Sequence, residues 1–160
     1  MLNRDFKEFA ELLNAKGVEY LVVGGYALAA HGHPRYTGDI DFWVLPTLEN
    51  LQRLISVLAD FGFASLGLSV SDFGPDTVVQ LGHPPRRIDL LTAVDGVSFD
   101  DCFAHREHVE LGGVHLPIIG LEDFKANKRA SGRLKDLVDL ETLDAPSPPR
   151  LGATKGDAGL

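Results

Sequence analysis

The chain has 160 residues, 44% of them hydrophobic and 24% charged, and a net charge of −8. These values are ordinary for a globular protein and exclude collagen-like, coiled-coil and wholly disordered chains. The pI near 5.1 argues against non-specific coating of nucleic acid, while leaving room for an acidic site that gathers cations. No run approaches the roughly 18 apolar residues of a membrane span, and Met1-Leu2-Asn3-Arg4-Asp5 lacks the apolar core of a secretory leader, so no membrane association is expected. A single cysteine, Cys102, leaves no disulfide within the chain and no multi-cysteine zinc site, and suits a reducing, cytoplasmic compartment. One domain is expected at this length.

Leu2, Phe6, Phe9, Leu12 and Leu13 recur at helical spacing, and Gly17 supplies a stop. Tyr20–Val23 is a short apolar run with β-branched residues, which predicts a buried strand ending at Gly24-Gly25. Tyr26–His31 predicts a short helix that cannot run through His33-Pro34. Asp39–Val44 alternates as a strand, and Thr47 caps a helix to Phe61 that Gly62 closes. Residues 65–76 read as irregular, followed by strands at Thr77–Leu81 and Arg87–Leu91. His105–Leu111 and Val114–Ile118 flank Gly112-Gly113 as a hairpin. Helices at Leu121–Ala130 and Leu134–Leu143 are separated by Ser131-Gly132. The Pro- and Gly-rich stretch 144–160 offers little with which to pack, so residues 1–143 are expected to form the domain and 144–160 a mobile tail. This order predicts an α/β or α+β sheet domain.

Chemistry concentrates in four places: Gly24-Gly25 after a strand, Arg35, the pair Asp39 and Asp41, and Asp89 on a later strand. Residues i and i+2 of a strand share a face, roughly 6.5–7 Å apart. Two carboxylates so placed repel each other unless a cation sits between them. Mg²⁺ takes hard oxygen ligands and leaves positions for substrate phosphates. A third carboxylate from a neighbouring strand would complete a site for two ions. Bare N–H groups at Gly24-Gly25 can approach a phosphate closely. Each feature also has an ordinary reading. Asp-x-Asp can be the solvated face or charged guard of an edge strand. Asp89 can be a surface or capping carboxylate, and Arg35 a partner for a nearby Asp. His31 and His33 read as loop histidines, and Cys102 beside Phe103 as a buried thiol.

Val23-Gly24-Gly25, a short helix, then Arg35-x-Thr37-x-Asp39-Ile40-Asp41 resembles the signature of the nucleotidyltransferase fold typified by DNA polymerase beta. More narrowly, the run Gly24–Val44, Pro84-Pro85-x-Arg87-Ile88-Asp89-Leu90-Leu91 and Lys128–Leu137 resemble small bacterial nucleotidyltransferases related to AbiEii-type abortive-infection toxins. The resemblance covers residues 2–143. It implies a mixed twisted sheet flanked by helices, with two C-terminal helices. It also implies Asp39, Asp41 and Asp89 as catalytic residues and ligands of two Mg²⁺ ions, for which Mn²⁺ can substitute. Gly24, Gly25, Arg35, Lys128, Arg133 and Lys135 would then bind the nucleotide. Residues 124–135 support this independently, with Lys125, Lys128, Arg129, Arg133 and Lys135 and no acid among them. A solvated helix face is the alternative.

The resulting expectation is a Mg²⁺-dependent transfer of a nucleoside monophosphate from an NTP to a hydroxyl. The acceptor would be a protein, an RNA end or a small molecule, in a toxin–antitoxin or phage-defence setting. The small size leaves any large acceptor dependent on a partner protein or a homodimer. Two rivals are an inactive binding module on the same fold and a metal-dependent phosphohydrolase.

Overall fold

The computed structural model describes residues 2–33 and 38–145. Helix α1, Arg4–Ala15, starts at Asn3, whose side chain accepts a hydrogen bond from the Phe6 N–H at 2.9 Å. It buries Phe6, Phe9 and Leu13, the predicted apolar stripe. Strand β1 is Tyr20–Val23, helix α2 Gly24–Ala30 and strand β2 Ile40–Val44. Helix α3, Leu48–Leu58, is capped by Thr47. It ends earlier than predicted, passing into a π-turn at Ala59–Phe63 in which Gly62 has left-handed backbone (φ 102°). Strands β3, Val78–Leu81, and β4, Ile88–Leu91, follow. Helix α4, Phe99–Ala104, was not expected from the pattern. Its signal lies in Ser98 and Asp101, a cap spacing in which the Ser98 hydroxyl donates to Asp101 at 2.9 Å. Strands β5, Glu107–Leu111, and β6, Val114–Ile118, form the predicted hairpin. Helices α5, Leu121–Ser131, and α6, Leu134–Asp144, are separated at Gly132, whose positive φ of 65° ends α5.

The strands make one mixed sheet in the order β3-β4-β2-β1-β6-β5. β2 runs antiparallel to β1 and parallel to β4, so both of its edges are paired and its backbone groups are satisfied. Side chains directly opposite across strands share a face. One face therefore carries Tyr20, Val22, Ile40, Phe42, Val44, Ile88 and Leu90, all buried. Phe9 of α1 packs on Phe42 with ring centres 5.6 Å apart, and α1 packs against α3. Buried Asn50 of α3 satisfies its polar atoms on the chain beside β1 and β2: it accepts from the Glu19 N–H at 2.8 Å and donates to the Glu19 and Leu45 carbonyls.

The other face carries Val23, Asp41 and Trp43 with Asp89 and Leu91 of β4 and Gln80 and Val78 of β3. Only part of it is covered, where Phe99 of α4 meets Trp43 edge-on at 5.2 Å. The uncovered remainder is the floor of the site described below. His31 belongs to the core rather than a loop: it is buried, its Nε2 is 2.8 Å from the Ile119 carbonyl, and its ring stacks on Phe124. Cys102 is buried too, and burial followed by the neighbouring Asp123 charge pushes its thiol up to about 12, far from reactive. Asp144, assigned to the tail by its composition, is the last residue of α6 and pairs with Lys125 at 3.1 Å. The remainder of the expected tail, 146–160, lies outside the described residues. Among the described residues no helix is long and apolar enough to cross a membrane.

Candidate active site

The pleat and the strand register bring the acids together. Asp39 precedes β2, Asp41 lies within it, and Asp89 sits directly opposite Asp41 on β4. Strand alternation points all three to the uncovered face. They open into a cavity of about 830 Å³ that is also lined by Gly24, Gly25, Gln80, Arg87, Arg133 and Lys135. That volume falls in the range of ligand sites. The separate predictions for Gly24-Gly25, the aspartate pair, Asp89 and the C-terminal cations thus converge on one cavity. Arg35 lies outside the described residues.

Asp41 is strongly perturbed. Burial, then the charge and hydrogen bond of Asp89, then the charge of Asp39 push its carboxyl up to about 7, against a smaller opposing pull from Lys135. Gly24 accounts for part of that burial. It has φ of +69°, and a Cβ built on it would stand 2.2 Å from Asp41 Oδ2, so the carboxylate rests against bare backbone. Gly24→Ala should therefore destabilise the protein by about 1–3 kcal/mol through clash and strained backbone. Thermal melting checks this, and an unchanged Tm would mean that neither the contact with Asp41 nor the left-handed backbone at this position carries a cost.

Arg87 holds the other two acids. Its Nε and Nη2 donate to Asp89 Oδ1 and Oδ2 at 2.7 and 3.1 Å, and Nη2 also reaches Asp39 Oδ2 at 2.9 Å. Its backbone N–H donates to Asp39 Oδ1 at 3.4 Å. In this arrangement no group of three acids, histidines or cysteines among the described residues converges closely enough to hold an ion. The donor set nevertheless suits a hard divalent cation: three carboxylates face one cavity, and burial together with the charges of its two acidic neighbours raises the middle one to about 7.

The cations of the C-terminal helices divide. Lys135, the second residue of α6, lines the cavity, acts electrostatically on Asp41, and forms no ion pair with the described residues. Lys128 lines the same cavity, but its charge is already engaged by acids. It is 6% exposed, and its ammonium donates to Asp136 and Asp139 at 3.2 and 3.1 Å, with the Phe124 ring 5.1 Å away. Arg133 extends into solvent, yet its Nε is bound to Asp136 at 2.7 Å. Asp136 is therefore the anion that meets the positive start of α6. Sequence reasoning missed its role and that of Arg87. The signal for Arg87 was present, since residue i−2 of a strand shares a face with Asp89.

Three solved structures share the fold. A Thermotoga maritima protein described as a nucleotidyltransferase aligns with a TM-score of 0.61 at 16% identity, covering 87% of this chain and 89% of its own. The lincomycin-bound lincosamide antibiotic adenylyltransferase LnuA aligns with a TM-score of 0.53 at 13% identity, covering 91% and 98%. A nucleotidyltransferase-like antigen from Paracoccidioides brasiliensis aligns with a TM-score of 0.52 at 18% identity, covering 84% and 71%. A comparison with curated proteins finds no match. A family model for nucleotidyl transferases of unknown function, DUF2204, matches residues 2–149, nearly the whole chain, and the protein belongs to that family.

Proposed function

We propose that the protein transfers a nucleoside monophosphate from an NTP to an acceptor hydroxyl with the help of divalent cations, releasing pyrophosphate. The observation that carries this reading is the convergence of Asp39, Asp41 and Asp89 on one cavity with Gly24-Gly25 and Lys135. Asp39, Asp41 and Asp89 would hold Mg²⁺ or Mn²⁺, which when bound neutralises phosphate charge and orients the attacking and leaving oxygens. The chain's own residues do the rest. Gly24 and Gly25 let the phosphates approach the backbone, and Lys135 meets their charge. The acceptor oxygen bonds to the α-phosphorus, the bond to the β-phosphate's bridging oxygen breaks, and the hydroxyl proton passes to Asp89. The three acids argue against a retired binding module. The resemblance to AbiEii-type toxins supports a setting in toxin–antitoxin or phage defence, with a protein or RNA end as acceptor. LnuA, an adenylyltransferase of an antibiotic, supports a small molecule instead.

The test incubates the protein with Mg²⁺, each NTP and cell extract, and searches by mass spectrometry for monophosphate adducts on proteins, RNA and metabolites. Adducts with pyrophosphate are expected. Free NMP or NDP alone would identify a phosphohydrolase, and no turnover a binding module. Lys135→Ala should weaken NTP binding or slow transfer at least about tenfold, as expected for a cation facing transferring phosphate. Lys125→Ala is the control, since Lys125 pairs with Glu122 and Asp144. Titration calorimetry with NTP and Mg²⁺ checks both. Equal affinity and turnover in the two variants would make Lys135 a solvated surface cation.

A further inference from the structure

We infer that Arg87 is a latch: it occupies the place of a cation among the three acids and makes divalent-metal binding depend on nucleotide. The inference rests on the reading above that these acids are metal ligands, and deepens it by naming what regulates the site. The geometry carries it. One guanidinium forks onto both oxygens of Asp89 and reaches Asp39 with the same Nη2. The Arg87 backbone N–H binds Asp39 as well, so the side chain starts from a position fixed beside its partners. The Arg87 side chain is less than one-quarter exposed and Asp89 is buried. Forked, charge-assisted pairs of this kind are strong, and breaking one while leaving a partly buried charge unpaired is costly.

A divalent ion arriving alone would have to displace Arg87 and leave two positive groups side by side. A triphosphate changes this balance. It supplies oxygen ligands for the ion and, in the same cavity that Arg87 lines, anionic oxygens that can take over the guanidinium. Metal and nucleotide therefore bind cooperatively, each raising the affinity for the other by the same factor. With Arg87 moved to the phosphates, Asp89 is released for the acceptor proton.

The test measures Mn²⁺ binding by electron paramagnetic resonance, with and without an NTP analogue whose α,β-bridge is methylene, so that no turnover intervenes. Wild type should bind Mn²⁺ weakly alone and at least about tenfold more tightly with the analogue. Arg87→Met keeps the apolar stem and removes the guanidinium. It should bind Mn²⁺ alone at least about tenfold more tightly than wild type, and the gain from nucleotide should shrink accordingly. Arg87→Lys keeps the charge without the fork and should fall between. It also carries the test if circular dichroism shows that Arg87→Met does not fold. If the folded variants bind Mn²⁺ alone no better than wild type, while wild type still gains with nucleotide, the latch is wrong and the metal site stands. If no form binds Mn²⁺ with or without nucleotide, the reading of the acids fails and the latch falls with it.

Discussion

Asp136→Ala should melt far below wild type. Asp136 is 1% exposed and accepts from Lys128 Nζ at 3.2 Å, Ser131 Oγ at 2.7 Å and Arg133 Nε at 2.7 Å. Removing it leaves the buried Lys128 ammonium with Asp139. Breaking a buried pair costs about 3–5 kcal/mol. For a chain of this size that is a fall in Tm of roughly 6–20 °C. The α5–α6 junction would loosen, and with it the positions of Arg133 and Lys135 at the cavity. Burial alone would push the Asp136 carboxyl up, but hydrogen bonds from Ser131, Arg133 and Lys128 and the Lys128 charge outweigh it and hold the group at about 2. The folded value is thus below the unfolded one, so this stabilisation is present above about pH 4 and is lost as pH falls toward 2. Asp144→Ala, which breaks the more exposed pair with Lys125, should change stability by less than about 1 kcal/mol. Differential scanning calorimetry of both variants at pH 7 decides this. An Asp136→Ala protein melting within about 2 °C of wild type would mean that Lys128 finds another partner.

Asp41→Asn should abolish transfer while making the metal-free protein more stable. On the proposed reading, losing the central carboxylate removes a metal ligand, at a cost to the reaction of several kcal/mol, or a rate loss of about a thousandfold or more. The effect on folding has the opposite sign. The Asp41 carboxyl is raised to about 7 in the folded state, so the unfolded chain ionises first as pH rises. Stability from this group is full below about pH 4 and is lost as pH rises through 7. Asn carries no such charge, so the variant's advantage should be small at pH 4 and grow until about pH 8. It reaches at most about 4 kcal/mol, the three-unit shift at 1.36 kcal/mol per unit. Urea unfolding in EDTA at pH 5 and pH 8, beside a pyrophosphate-release assay, reads both effects. Equal advantages at the two pH values would show that Asp41 ionises normally.

Much of the fold was legible because its signals are local. The strand Tyr20–Val23, the hairpin around Gly112-Gly113 and the break at Gly132 follow from apolar runs and glycines whose backbone needs are met within a few residues. Helix α4 escaped because it is short, with only Phe99, Cys102 and Phe103 at helical spacing, although Ser98 and Asp101 mark its start.

The sequence by itself determined which residues could gather cations and that Asp39 and Asp41 share a face, because the two-residue strand repeat is a property of the backbone. It also held the cue that Arg87 shares a face with Asp89. It could not decide which charges meet which. Lys128 and Lys135 read alike as members of one basic run, but Gly132 turns the chain between them. Both line the cavity, but Lys128 is buried between α5 and α6, where Asp136 and Asp139 bind it, whereas Lys135 forms no ion pair with the described residues. Likewise, only the parallel pairing of β2 with β4 sets Asp41 opposite Asp89 and brings Arg87 within reach of Asp39. The physical reason is that ionic partners are chosen by distance and burial in three dimensions, and an attraction between two charges weakens from several kcal/mol to almost nothing as they separate into water.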